Sequence, residues 1–464
     1  MAELKLKKVD VKNILNIGFP LEVEPEIPLL VYDNRIKKLR TLMKKEGFST
    51  VLIYGDREHL GNIMYFTGYD PRFEETLLIV HDDDSELVLI VGNEGYVYSN
   101  VSPVPHRKLL FSPFSLAGQP CNSTADLASV LKDFIHNTKS VGLVGWKSFS
   151  ASKTKNFAVP HFIVNAISQL MDITNLKDVT DWLMDPQNGL RSCYEIEQLA
   201  KFEWVSTWSS ESVFRAISKL QDGQSEYEIA SNMQLNGYPH AHHLCITSGD
   251  RLKSFFAGSP SSKKVKTGEP FFIALGLRGS NTCRAGFLVH DASELPENIR
   301  DYASKVVIPY FKAIRSWYQK LSIGTNVSEL HRLVHSELKK PLFNIGLNIG
   351  HQIDYEEWMN SPVTENSTVE LKSGNYYQCD FFPAVEGDYF GTFAEDGVAL
   401  LNSSERREFE VKYPQAYKRI RYRRNIMKNI LGIELSEDAM PFSNICGFIF
   451  PYLYDLNLVP SAAI

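Results

Sequence analysis

Hydrophobic and polar positions in the first 180 residues follow two alternating periods. From Asn34 to Glu46, Ile36, Leu39, Leu42 and Met43 recur at helical spacing on one face. Continuous apolar runs of strand length follow at 50–54, 77–80 and 87–91. Residues 124–136 predict another helix and 141–144 another strand. Helices interleaved with buried strands predict an α/β domain over residues 1–185. The turn-rich stretch Asp185-Pro186-Gln187-Asn188-Gly189 marks its end. Beyond it, Ser192 is an N-cap candidate for a long helix through Glu195, Leu199, Val205 and Val213 to Lys219. Residues 186–464 form the second predicted domain.

That second domain contains a short internal repeat. Lys219-Leu220-Gln221-Asp222-Gly223 ends one long helix and leads to Ser225-Glu226. Lys320-Leu321-Ser322-Ile323-Gly324 ends another, 101 residues later, and leads to Ser328-Glu329. The stretch 441–458 is rich in aromatic side chains and is expected to pack on the domain or on a partner subunit. With 44% apolar residues, 464 residues suffice for two to three well-buried cores. The net charge of −6 comes without a basic stripe, which argues against nucleic acid as a partner. No run approaches the roughly 20 apolar residues that span a bilayer. The first eight residues are charged and lack an apolar signal core. Six widely spaced cysteines without a CxxC pair read as reduced thiols. Together these predict a cytoplasmic protein.

Candidate chemistry lies in the last third of the chain. His351 stands in Gly350-His351-Gln352-Ile353, Asp380 ends Gln378-Cys379-Asp380, and Glu395 begins Glu395-Asp396-Gly397. This order resembles the creatinase, aminopeptidase P and prolidase family, the pita-bread enzymes. In that family a His and two Glu bind two metal ions together with two aspartates. The run Asn62-Ile63-Met64-Tyr65-Phe66-Thr67-Gly68-Tyr69 resembles a segment of the same family's N-terminal domain. The resemblance implies an α/β N-terminal domain, then a pita-bread domain with pseudo-two-fold symmetry, and the 101-residue repeat suits that symmetry.

The two aspartates have no counterpart here. Where the family reads Ile-Asp-Xaa-Gly, this chain reads Ile273-Ala274-Leu275-Gly276. Where it reads Ser-Asp-Ile-Thr-Arg, this chain reads Ser280-Asn281-Thr282-Cys283-Arg284, and the alternative alignment to Ala285 supplies no carboxylate either. Two cations held close together need bridging carboxylates, so two metals are not expected. His351, Asp380 and Glu395 remain a ligand set for one ion of Zn, Mn or Fe, with Asn281 a weak fourth ligand. The alternative is an ion-free polar cluster with His351 between the carboxylates.

Other candidates carry a role and a bland reading together. Phe255 stands near the position where the family places a substrate-handling His. Arg284 anchors a carboxylate or holds the sheet. Asp354, Glu356 and Glu357 offer a base or form a solvated loop. In His240-Ala241-His242-His243, strand alternation puts His240 and His242 on one side, towards the cleft or the outside. Cys283 and Cys379 are expected to point away from the site. Creatinase, in the same family, lacks both aspartates and hydrolyses a small C–N substrate without metal. The resemblance therefore implies a hydrolase of an amide, amidine or short peptide, with His351, Asp380 and Glu395 catalytic. The alternatives are a non-catalytic peptide- or protein-binding module and an intact Xaa-Pro dipeptidase. The expected partners are a small-molecule or short-peptide substrate and a second copy in a homodimer, with no nucleic acid and no membrane.

Overall fold

The aliphatic runs of the first half form a six-stranded mixed sheet in a computed structural model that describes residues 4–121, 125–135, 140–149, 156–254 and 256–463. Its strands lie in the order His106–Leu110, Leu87–Val91, Thr76–His81, Thr50–Gly55, Val141–Val144, Leu176–Asp178. Thr50–Gly55 pairs antiparallel with Thr76–His81 and parallel with Val141–Val144. All four central strands except the terminal His81 are buried along their length, which accounts for apolar runs without alternation. The helix Leu29–Glu46 begins earlier than its pattern predicts and ends on Gly47 at φ +78°. Leu127–Ile135 is helical, while both expected ends of that helix, residues 124 and 136, lie outside the described residues.

The Asn62–Tyr69 run is structural. Asn62 donates to the Gly145 carbonyl (2.9 Å) and accepts from Arg191 (2.6 Å), and the Tyr65 hydroxyl donates to Leu190 (2.7 Å). The short helix Gly61–Thr67 is thus tied to the sheet and to the end of the domain. Gly68 closes the helix at φ +67°, against the Tyr32 hydroxyl.

The chain divides into compact units at Ile27–Ser192 and at the first 26 residues together with those from Cys193 on. This differs from the 1–185 and 186–464 division read from the sequence. Lys5–Lys8 pairs antiparallel with Leu458–Ser461, so the opening segment belongs to the second unit. That pairing joins chain ends and leaves no local signal.

In the second unit the long helix Ile196–Ile217 starts after Glu195, not Ser192. It presents a row of hydroxyls to the hairpin Pro270–Leu277/Ser280–Phe287. Ser206 donates to Ser280 (3.0 Å), and Ser209 contacts Thr282 (2.8 Å). Two four-stranded antiparallel sheets follow. One runs Phe393–Glu395, Ser280–Phe287, Pro270–Leu277, Cys245–Ser248; the other His351–Gln352, Tyr376–Gln378, Gly397–Leu400, Ala439–Pro441. Only Asp396 separates Phe393–Glu395 from Gly397–Leu400, so one stretch of chain passes from sheet to sheet there.

The repeat is real in three dimensions. Gly223 and Gly324 take φ +80° and +83°. Ser225 and Asn326, also 101 residues apart, cap the helices Glu226–Ser231 and Val327–Glu337. Each cap forms an isolated antiparallel bridge, to Lys264 and Glu370. The aromatic tail is buried within its own unit: Phe448, Phe450 and Tyr452 are at most 2% exposed. Tyr454, Leu456 and Leu458 at its end are only partly buried. Among the described residues no helix is long and apolar enough to cross a membrane.

Candidate active site

Four strands deliver the site. Asn281 and Cys283 lie two apart on Ser280–Phe287, and Cys283 is in register with Glu395 on the neighbouring strand. His351 opens the strand His351–Gln352 in register with Gln378, and Asp380 follows two residues after Tyr376–Gln378. Gly350 fixes this junction. Its N–H donates to the Asp380 carbonyl (2.6 Å), its φ is +89°, and a Cβ would lie 2.9 Å from the Gln378 carbonyl oxygen.

His351, Asp380 and Glu395 converge as expected. Donor atoms of the three lie within 4.8 Å of one another, and all three residues are at most 5% exposed. His351 Nε2 is 3.5 Å from Asp380 and 3.6 Å from Glu395. A third carboxylate is closer still: Glu357 Oε1 at 3.3 Å. Glu357 is one of three acids in a run whose commoner reading is a solvated loop. Of its neighbours, Asp354 is fully buried and accepts from the Tyr355 N–H (2.7 Å). The next residue, Trp358, stacks on the His351 ring at 4.2 Å and 14°, setting its plane.

Of the two alignments for the second lost aspartate, Asn281 is the one whose side chain reaches the site. Its amide donates to Glu395 Oε1 (3.1 Å) and its oxygen faces His242 Nε2 (3.2 Å). The Cys283 thiol donates to Glu395 Oε2 (2.9 Å), so this cysteine faces the site, contrary to expectation. The correction follows from strand alternation counted from Asn281, two residues away, rather than from Arg284. Cys379 does lie away from the cluster, near Tyr318 and Cys446.

His240 and His242 are not on a common strand. Only an isolated bridge joins His240 to Leu277, and His240 is half-buried. His242 enters the site over Gly276, where a Cβ would lie 2.3 Å from its ring. Its Nδ1 donates to the His243 carbonyl (2.7 Å) while Nε2 donates to the Asn281 oxygen, so both nitrogens carry protons. Burial opposes that charge, but contacts with Cys245 and the His243 carbonyl outweigh it and raise the ring to about 9.

Arg284 is fully buried and bound within the fold, as the sheet-holding reading expects. Its Nη2 donates to both Asp396 oxygens (3.0 and 2.9 Å) and to the Ile445 carbonyl (2.5 Å), and Asp396 also accepts from the Gly447 N–H (3.1 Å). This pair is buried at the sheet crossing and holds the sheets. Phe255 lies outside the described residues.

Charge is crowded in the cluster. Burial lowers the His351 pKa, but Glu357, then Glu395 and Asp380, overcome it and hold the imidazole well above its ordinary range. Burial and then the Glu395 charge push Asp380 well up, favouring its protonated form. Burial also raises Glu357, yet the His351 charge more than compensates and lowers it.

The donors suit one divalent ion. Metal–ligand bonds of about 2.1 Å place neighbouring donors about 3.4 Å apart in a tetrahedral shell, close to the separations around His351 Nε2. That nitrogen is buried without a hydrogen-bond partner although carboxylate oxygens stand nearby. Ala274 and Asn281, at the positions of the family's two aspartates, bring no carboxylate, and among the described residues His351, Asp380 and Glu395 are the group gathered closely enough to hold an ion.

A family model for the creatinase/prolidase N-terminal domain matches residues 35–183. No curated protein matches the chain by sequence. Solved structures share the fold at low identity. The prolidase of Pyrococcus horikoshii OT3 aligns at 18% identity and TM-score 0.60, covering 79% of this chain and 95% of its own. An X-Pro aminopeptidase of Thermotoga maritima MSB8 aligns at 14% and 0.60, covering 88% and 97%. An aminopeptidase P variant of Escherichia coli aligns at 14% and 0.56, covering 85% and 100%. Residues 35–183 are thus similar to the creatinase/prolidase N-terminal domain, and the chain shares the fold of these prolidase and aminopeptidase structures.

Proposed function

We propose that this chain is a hydrolase of a small C–N substrate, an amide, amidine or short peptide, working with at most one divalent ion. The observation that supports it is the buried convergence of His351, Asp380 and Glu395. His351 donates or orients a proton, Asp380 and Glu395 bind the substrate nitrogen, and water attacks the carbon. A divalent ion held by the same three side chains would polarise the bond under attack. The names of the fold neighbours make a prolyl peptide bond the first substrate to try. An intact Xaa-Pro dipeptidase is nevertheless disfavoured, because without carboxylates at 274 and 281 two cations cannot share a bridging hydroxide.

A binding module without catalysis is the second reading, favoured by one feature: Trp358 covers a face of the His351 ring. Substrate turnover separates the two. Xaa-Pro dipeptides with added Mn or Co are expected to be hydrolysed poorly or not at all. In a screen of small amides, amidines and short peptides, Asp380→Asn and Glu395→Gln should each reduce turnover of any responsive substrate by about a hundredfold or more. Strong metal-dependent prolidase activity overturns the proposal, and a screen without any turnover favours the binding module. A homodimer remains part of the proposal, tested by light scattering at micromolar concentration.

A further inference from the structure

We propose that the cleft between the opening segment and the helix Pro414–Ile426 is the face through which two copies of this chain pair, each inserting its Leu21 into the cleft of the other. The cleft has a volume of about 1070 Å³ and belongs wholly to the second unit. Residues from 13 to 22 form one wall. The other follows the helix at 414, 418, 421, 422 and 425, a spacing that turns one helical face inward. The Tyr422 hydroxyl donates to the Ile14 carbonyl (2.9 Å) and ties the walls together. Ile17, Phe19, Tyr417 and Tyr422 give the cleft an apolar lining. Leu21 stands on its rim at 100% exposure, with Val23 two residues on at 88% and Val411, next to the lining residue Glu410, at 80%. Single exposed aliphatics are ordinary, but several around a concave apolar lining mark a surface that a partner covers.

Charge decides which partner. Arg419 is spent within the fold, on Glu22 (2.6 Å) and Glu203 (2.5 Å). Lys418, Arg421 and Glu410 are exposed and form no ion pair among the described residues. Glu410 sits where the chain enters the helix, and the two cations lie one and two turns inside it. The inward face is therefore acidic at one end and basic at the other. Such a face is complementary to its own copy turned end for end, which sets acid against base at both ends. A partner of a single sign would satisfy only one end. Two-fold pairing also makes the insertion reciprocal, since each copy offers one projecting leucine and one cleft.

This inference gives the proposed homodimer a location, and it is independent of turnover and of any bound ion. The test is sedimentation velocity of the full chain from nanomolar to micromolar concentration. Leu21→Asp should weaken dimerisation by about a hundredfold, since burying one leucine is worth about tenfold or more and the two-fold counts it twice. Val97→Asp, at a 70% exposed position of the other unit, should stay within about twofold. Arg421→Glu should cost about tenfold, and adding Glu410→Arg should recover most of that loss. All these positions are exposed, so melting curves should match those of the unmodified chain. A dimer that Leu21→Asp and Arg421→Glu leave intact overturns this face while the homodimer stands. A chain that stays monomeric at micromolar concentration overturns both and leaves the hydrolase reading untouched.

Discussion

Adjacent acids at 395 and 396 do opposite work. Glu395 faces the cluster, whereas Asp396 faces the other side of the strand and is held by Arg284 at the crossing between sheets. Alternation explains the split, but the sequence shows only two neighbouring carboxylates. It therefore revealed Arg284 without revealing its partner. Cys283 was expected to point away, and Glu357 was left between a base and a solvated loop, for related reasons. A thiol one residue from an arginine and a glutamate in an acidic turn each carry a common bland meaning, and only tertiary register brings them to His351. The Arg284–Asp396 pair is buried on both sides, at 0% and 1% side-chain exposure. Removing one partner leaves an uncompensated charge, so Arg284→Met and Asp396→Asn should each destabilise the second unit by about 3–5 kcal/mol. Urea titration followed by circular dichroism measures this. A change below about 1 kcal/mol would mean that water reaches the crossing and that the pair is not a structural clamp.

At the level of elements, the duplicated helix endings were legible because they depend on local chemistry. A glycine in the left-handed region followed by a capping side chain leaves a signature in any sequence. In the second copy the counterpart of Ser225 is Asn326, two residues before the Ser328-Glu329 pair, and its side chain accepts from the Ser328 N–H (2.9 Å). The strands of the second half left less trace. His351–Gln352 is two residues long, and Tyr376–Gln378 is buried throughout, so neither shows a period. The buried serines of Ile196–Ile217 were equally silent, because their apolar counterparts across the helix carry the pattern. Gly223 and Gly324 offer an element-scale test. Neither would place a Cβ within 4 Å of another group, so alanine meets only the backbone cost of its conformation. Gly223→Ala and Gly324→Ala should each cost about 1 kcal/mol, and the two losses should add within about 0.5 kcal/mol. Thermal or denaturant melts of the two single variants and the double variant check both the size and the additivity. A large imbalance between the two would show that the halves, though alike in backbone, are not alike in what surrounds them.

For the whole molecule, the consequential contact lies between its ends. Lys5–Lys8 adds a strand to Leu458–Ser461, the Val9 N–H donates to the Asn457 carbonyl (2.9 Å), and the Val11 N–H donates to the Asn457 side-chain oxygen (3.1 Å). Val11 and Leu15 are almost fully buried in the core of the second unit. Further along, Trp204 donates to the Glu22 carbonyl (3.1 Å) and Lys201 pairs with Glu24 (2.5 Å). No sequence period reports a pairing across more than 450 positions, which is why composition and proximity assigned these residues to the N-terminal domain. Burial of two aliphatic side chains alone contributes about 3–6 kcal/mol, comparable with the net stability of many domains. Deleting the first 26 residues should therefore unfold or aggregate the part beginning at Cys193. Residues 27–192, with their own six-stranded sheet and core, should fold as an isolated fragment with a cooperative melt. Limited proteolysis of the truncated chain, with mass spectrometry of the surviving fragments, distinguishes the outcomes. Survival of the 27–192 unit with rapid loss of the remainder is expected. Equal resistance of both parts, or an isolated 27–192 fragment without a cooperative transition, would show that the terminal strand is an ornament and that the division of the chain lies elsewhere.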